Sequence, residues 1–237
     1  MGLIHSVNVA DLPVLLITGA AGALGRALVR KALTEGRDCI ALDRDRRGLE
    51  RFHDEMIADG LSAPALYPLD LAGAGMDDYQ ALAGVLEEQF GRLDGLIHAA
   101  ADFKSLRPLE HQPVDEWMKI IQAGLTGPML LTRSLLPLLR RTPGSCVVFI
   151  QDRQCADNPA YWGAYGVAQG GREAMVATLS AELGPRGPRI EAIDPGAFRS
   201  SLRAAATPAE DPFSWPPPEQ AAERVWKLLE TERHALS

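Results

Sequence analysis

The sequence predicts an α/β fold, an open doubly wound parallel sheet of about six strands with helices on both faces. Two patterns and one motif predict it. Six short apolar runs of strand length alternate with longer amphipathic segments, as strands buried on both faces alternate with their crossover helices. The amphipathic segments are spaced and sized as helices. Between the first run and the first such segment stands a glycine cluster, Thr18-Gly19-Ala20-Ala21-Gly22-Ala23-Leu24-Gly25.

Each element follows in order. Residues 1–12 read as a tail, and Pro13 to Thr18 (PVLLIT) as the first strand. Ala23 to Glu35 is a helix, Asp38 to Asp43 a strand, Asp45 to Asp59 a helix and Ala65 to Leu69 a strand. Met76 to Phe90 places Tyr79, Leu82, Leu86 and Phe90 on one helical face, and Gly95 to Ala100 is the fourth strand. From Val114 to Leu139 the spacing predicts one long helix kinked near Gly127-Pro128. Ser145 to Ile150 and Arg189 to Ile193 are the last strands, with a helix from Trp162 to Leu183 between them. Residues 200–218 read as loop. After Pro216-Pro217-Pro218, the spacing of Ala222, Val225, Leu228 and Leu229 makes residues 219–232 a helix, the alternative being a solvated tail. One domain over residues 13–237 is expected.

The composition narrows the function. Among 237 residues, 24 Lys and Arg face 31 Asp and Glu, a formal net charge of −7, with 46% apolar and 23% charged residues. That is ordinary for a globular chain and lacks the basic face a nucleic-acid binder needs. Cys39, Cys146 and Cys155 are the only cysteines and have no C-x-x-C spacing, so neither a disulfide framework nor a metal site is expected. A reducing cytoplasm suits them. The start of the chain lacks the basic and long apolar stretches of a signal peptide, and no apolar run reaches the roughly 18 residues of a membrane span.

The glycine cluster carries the first chemistry. Glycine between a strand and a helix permits φ > 0 and lets backbone approach a pyrophosphate, which free N–H groups and the helix dipole then stabilise. Asp43 ends the second strand 18 residues beyond Gly25. Its carboxylate can accept hydrogen bonds from an adenosine ribose and would repel a 2′-phosphate, which favours NAD over NADP. Arg44, Arg46 and Arg47 argue the other way, since a guanidinium pairs with that phosphate. The plainer alternatives are a ligand-free turn and an Asp43 that merely caps the next helix.

These motifs together resemble the short-chain dehydrogenase/reductase family in its compact single-domain branch, from about Pro13 to Ser200. The family turn T-G-x-x-x-[AG]-x-G is matched by Thr18, Gly19, Ala23 and Gly25, with Leu24 inside it. The acid after the third strand is matched by Asp70, followed by Leu71. His98-Ala99-Ala100-Ala101 stands where Asn-Asn-Ala-Gly is usual. Pro195-Gly196 follows the sixth strand, and Ser200 stands where threonine is usual. The resemblance implies a Rossmann-like fold, an NAD(P) cofactor held by Thr18, Gly19, Ala23, Leu24, Gly25, Asp43, Asp70, Leu71, Ala99, Ala100, Tyr165, Gln169, Pro195 and Gly196, and hydride exchange with an alcohol or carbonyl. Members usually add a seventh strand that helps build tetramers. This chain is expected to lack it and to pair as a homodimer through its long helices.

The resemblance also implies a reaction centre of tyrosine, a lysine four residues later, a serine about 13 earlier and an upstream asparagine. Here Tyr165 is present, but Gln169, Asp152 and Gly124 stand at the other three positions. Catalytic roles therefore fall to Tyr165, Asp152 and Gln169, with His98 a candidate helper and Arg199 a candidate for a cofactor phosphate. Their plainer alternatives are a packing tyrosine, a local Asp152–Arg153 ion pair, a hydrogen-bonded histidine and a solvated arginine. Two functions follow: an NAD-dependent oxidoreductase acting on a small molecule, or a catalytically silent relative serving as a regulatory or partner subunit, with or without bound cofactor, beside an active paralogue.

Overall fold

In the computed structural model, which describes residues 12–230, six parallel strands form one sheet. They are β1 (Val14–Thr18), β2 (Asp38–Asp43), β3 (Ala65–Pro68), β4 (Gly95–His98), β5 (Cys146–Ile150) and β6 (Arg189–Ile193), in the spatial order β3-β2-β1-β4-β5-β6. The crossovers are α1 (Ala23–Thr34), α2 (Arg46–Ala58), α3 (Met76–Gln89), α4 (Val114–Ile121), α5 (Gly127–Arg141), a short α6 (Gln154–Asp157) and α7 (Gly163–Leu183). After β6 come α8 (Ser201–Ala206) and α9 (Pro218–Glu230). Among the described residues β6 is an edge and no seventh strand is present. The proposed tail lies outside the described residues except for Leu12, as do positions 231–232 of the expected final helix.

The pleat explains the two cores. Alternate residues of β1 point to opposite faces: Leu15 and Ile17 pack with Leu28, Phe52, Val225 and Trp226, whereas Val14 and Leu16 pack with Tyr79, Leu82, Leu131 and Leu135. Both faces are therefore covered by helices, and the strands read as continuous apolar runs for that reason.

Strand order reverses at β1, which pairs with β2 on one side and β4 on the other. The chains leaving β1 and β4 diverge to opposite faces and open a crevice at the C-terminal ends of the strands. β4 ends at His98, two residues before the expected boundary, so Ala99 and Ala100 belong to the crevice wall rather than to the sheet.

Two expectations are corrected. The long segment from Val114 is not kinked by Pro128; its irregularity is a π turn over Gln122–Thr126, one residue wider than an α turn. Pro128 instead sits in the first turn of α5, where a missing N–H is tolerated. The segment 200–218 is not all loop, because Ser200 caps α8 by accepting a hydrogen bond from the Arg203 amide at 3.1 Å, and Pro212–Ser214 forms a 3₁₀ turn.

Candidate active site

The crevice is a cavity of about 210 Å³ running from the glycine turn to Tyr165. At its first end Thr18 is fully buried; its hydroxyl donates to the Ile97 carbonyl at 3.4 Å and accepts from the Ala100 amide at 3.2 Å. Thr18 therefore ties β1 to the chain leaving β4 and does not itself line the cavity. Gly19 has φ +71°, and a Cβ there would come within 2.8 Å of the Ala100 backbone. At Gly25 a Cβ would overlap the Gly19 carbonyl oxygen, so α1 can pack against the turn only as glycine. The turn is thus a cradle built on missing side chains, at a helix N-terminus, and it fits a dinucleotide pyrophosphate. Ala23 and Leu24 line the same end.

Asp43 also lines the cavity, with its carboxylate accepting from the Ala21 amide at 3.0 Å and the Asp45 amide at 2.9 Å. It does not cap α2. That role belongs to Asp45, which accepts from the Gly48 amide at 2.9 Å. Of the three arginines that follow, Arg44 alone lines the cavity and reaches across to Asp102 at 3.2 Å, while Arg46 turns to Glu50 at 2.8 Å. Asp70, Leu71, Ala99, Ala100 and Gly196 line the walls. Pro195 stands back from the cavity and offers its carbonyl to Arg224 at 2.6 Å.

At the other end Tyr165 is buried against Phe103 and Trp162, with ring centroids 5.4 and 5.7 Å away. Its hydroxyl donates to Asp152 Oδ2 at 3.4 Å. Burial pushes the phenol pKa well above its ordinary value, the Asp152 charge adds to that rise, and Arg172 and Gln169 pull against it without prevailing. The Asp152 carboxyl is itself raised, chiefly by burial, with Arg203 opposing. Gln169 is buried beside both and accepts from the Asp152 amide at 3.4 Å. Tyr165, Asp152 and Gln169 are therefore brought together.

The expected Asp152–Arg153 pair is not formed. Asp152 faces Arg203 Nη2 at 3.5 Å, and the Arg153 amide donates to Asp194 at 2.9 Å. His98 is no helper acid or base: it is fully buried, stacks on Phe149 at 4.6 Å and bonds Thr132 through Nε2 at 2.8 Å. Burial, reinforced by Arg172, holds its pKa well below the ordinary value, so it is neutral. Arg199 lies over the Phe213 ring at 5.0 Å and is not part of the cavity wall.

Two arginines escaped the sequence reading. Arg172 is buried beneath the site and donates to the carbonyls of Gly124, Ile150 (3.1 Å) and Ala100 (2.8 Å), so one guanidinium ties the π turn to the ends of β5 and β4. Burial brings its pKa down to about 10, which still leaves it charged at neutral pH. Its place seven residues after Tyr165, two helical turns along the same face, was the available signal. Arg203 had none, because its helix read as loop.

Among the described residues no group of side chains could hold a metal ion, and no helix is long and apolar enough to cross a membrane. The profile of the short chain dehydrogenase family matches residues 13–211. The chain is 30% identical over 199 residues to the uncharacterized oxidoreductase YciK of Escherichia coli K12, covering 84% of this chain and 79% of that one. The YciK structure superposes with a TM-score of 0.86 at 28% identity, covering 97% and 96% of the two chains. A structure from Escherichia coli CFT073 complexed with NADPH superposes with a TM-score of 0.88 at 28% identity, covering 96% of each. One from Shigella flexneri 2a complexed with NADP gives a TM-score of 0.83 at 29% identity, covering 87% and 86%. The Gly19–Gly25 cradle, the strand order and these matches agree, and the chain belongs to the short-chain dehydrogenase/reductase family of NAD(P)-dependent oxidoreductases.

Proposed function

We propose that the chain binds NAD(H) in this crevice and that its Tyr165 centre is silent, or nearly so, toward ordinary alcohol and carbonyl substrates, so that it serves as a nucleotide-binding regulatory or partner subunit. The observation that carries this reading is the phenol: buried, facing neutral Gln169, and donating to the Asp152 carboxylate. A bound nicotinamide supplies or accepts a hydride at the substrate carbon. The chain must then supply or accept a proton at the substrate oxygen. For a tyrosine to accept one near neutral pH its pKa must lie about three units below the ordinary value, roughly 4 kcal/mol of phenolate stabilisation, and burial starts Tyr165 from above that value. Gln169 brings no charge toward that sum, and ionised Asp152 works against it. The family's lysine, serine and asparagine would each have helped.

A working oxidoreductase is the second reading, and the raised Asp152 carboxyl favours it. There the alcohol proton passes to the Tyr165 oxygen while the phenol proton passes to Asp152, which is readier than a solvated carboxylate to take it. Exposed Val114 and Met118 on α4 and Val167 on α7 support pairing with a second copy or a paralogue through these helices.

NAD rather than NADP is proposed from Asp43, which faces the cavity, and from Arg44 and Arg46, which are engaged by Asp102 and Glu50. The relatives that carry NADP(H) differ from this chain in that expectation. Fluorescence titration is expected to give NADH a dissociation constant about tenfold or more below that of NADPH, one ion-pair's worth of repulsion. Equal or reversed affinities would remove the role given to Asp43, and binding of neither would remove the nucleotide reading.

A further inference from the structure

We infer that the substrate end of the crevice is an anion site built on Arg203, and that the ligand it takes is a small molecule carrying a carboxylate. This rests on the reading of the crevice as a nucleotide site whose Tyr165 end receives the second ligand.

Arg203 is 7% exposed and lines the cavity. Its three nitrogens are unequally used. Nη1 donates to the Gln154 side-chain oxygen. Nη2 lies 3.5 Å from Asp152 Oδ2, long for a charge-assisted bond, and Nε is buried with no hydrogen-bond partner. Nε and Nη2 form one edge of the planar guanidinium. That edge is the one that receives a carboxylate through two parallel bonds, and it is the edge the protein leaves nearly unused.

The surroundings fix both the group and its company. The Trp215 ring lies 5.4 Å from the Arg203 guanidinium and holds it against the cavity wall. Arg172 adds a second positive charge to that wall, although its N–H groups are committed to backbone carbonyls. The opposing carboxylates are Asp152, which also accepts from the Tyr165 hydroxyl at 3.4 Å, and Asp194, which accepts from the Arg153 amide at 2.9 Å and the Gly196 amide at 2.7 Å. Phe198 and Leu202 supply apolar wall beside them. A planar monoanion with a small apolar body matches two parallel donors and this wall. A tetrahedral phosphate would turn its remaining oxygens toward the Asp152 carboxylate, which lies 3.5 Å from Nη2.

The test is calorimetric titration of the full chain, with and without saturating NADH, using butyrate, butyramide and inorganic phosphate as probes. Butyrate is expected to bind about tenfold or more tightly than butyramide and phosphate, and to lose about tenfold in Arg203→Gln, with Arg203→Lys between them. Equal binding of acid and amide, phosphate binding as tightly as butyrate, undetectable butyrate binding, or an Arg203→Gln variant that keeps wild-type butyrate affinity overturns the inference. Should Arg203→Gln fail to fold by circular dichroism, the acid and amide pair on the wild type decides. NADH affinity is read separately, so a chain that binds butyrate but does not bind NADH refutes the nucleotide reading while sparing Arg203.

Discussion

Replacing Asp152, which helps keep the phenol protonated, and Gln169, which brings no charge against it, is expected to switch the centre on: the Asp152→Ser, Gln169→Lys double variant should oxidise alcohols with NAD about 100-fold or more faster than the wild type. Each part acts on the same proton. Asp152→Ser removes the carboxylate that raises the Tyr165 pKa and places a hydroxyl where a substrate oxygen can accept a hydrogen bond. Gln169→Lys brings an ammonium one helical turn from the phenol on the same face of α7. Two units of recovered pKa correspond to about 2.7 kcal/mol, hence the factor of about 100. The new lysine shares that face with Arg172, whose charge opposes its own, so Asp152→Ser alone is expected to give the larger single gain. A stopped-flow record of NADH formation from NAD with a panel of primary and secondary alcohols reads the outcome. No gain with any of them contradicts the account of why the centre is quiet.

Arg172→Met is expected to destabilise the fold by about 3–5 kcal/mol, seen as a fall in the urea midpoint. Methionine fills much of the volume but abandons three buried acceptors, the carbonyls of Gly124, Ile150 and Ala100, each of which loses a charged donor. Arg172→Lys keeps the charge and one or two of the bonds, and an intermediate loss is expected. The damage should be local as well. With the π turn released from the ends of β4 and β5, the wall that Ala100 gives the crevice loosens, so NADH affinity should fall with the stability. A variant as stable as the wild type would show that the guanidinium is not what joins these three segments.

How much of this was legible in the sequence depends on the range of the interactions. The strands and crossovers could be read because a parallel strand buried on both faces, such as β1, is an apolar run (VLLI) whose one polar residue, Thr18, comes at its end, and because Gly19 and Gly25 stand where a Cβ would strike backbone. The association of Tyr165 with Gln169 followed from helical spacing alone. Asp152 lies in the crevice beside Tyr165 and faces Arg203 rather than Arg153, a partner the sequence hides because Arg153 is near in sequence and Arg203 is near only in space. The π turn was hidden because an extra residue in a helix leaves no compositional mark, whereas Gly127-Pro128 offered a louder and misleading one. His98 sits at a strand end, where ligands bind, and only the structure places it behind the sheet against Phe149 and Thr132.

The claim on which the rest depends is that Tyr165 holds its proton throughout the neutral range. It is tested most directly by carbon-13 NMR of ring-labelled tyrosine in the NADH-saturated protein, with Tyr165→Phe assigning the resonance. Tyr165 is expected to show the chemical shift of a neutral phenol from pH 6 through pH 10, because burial and Asp152 both raise its pKa. A midpoint near neutral pH would contradict the account and return the chain to the ordinary working members of its family.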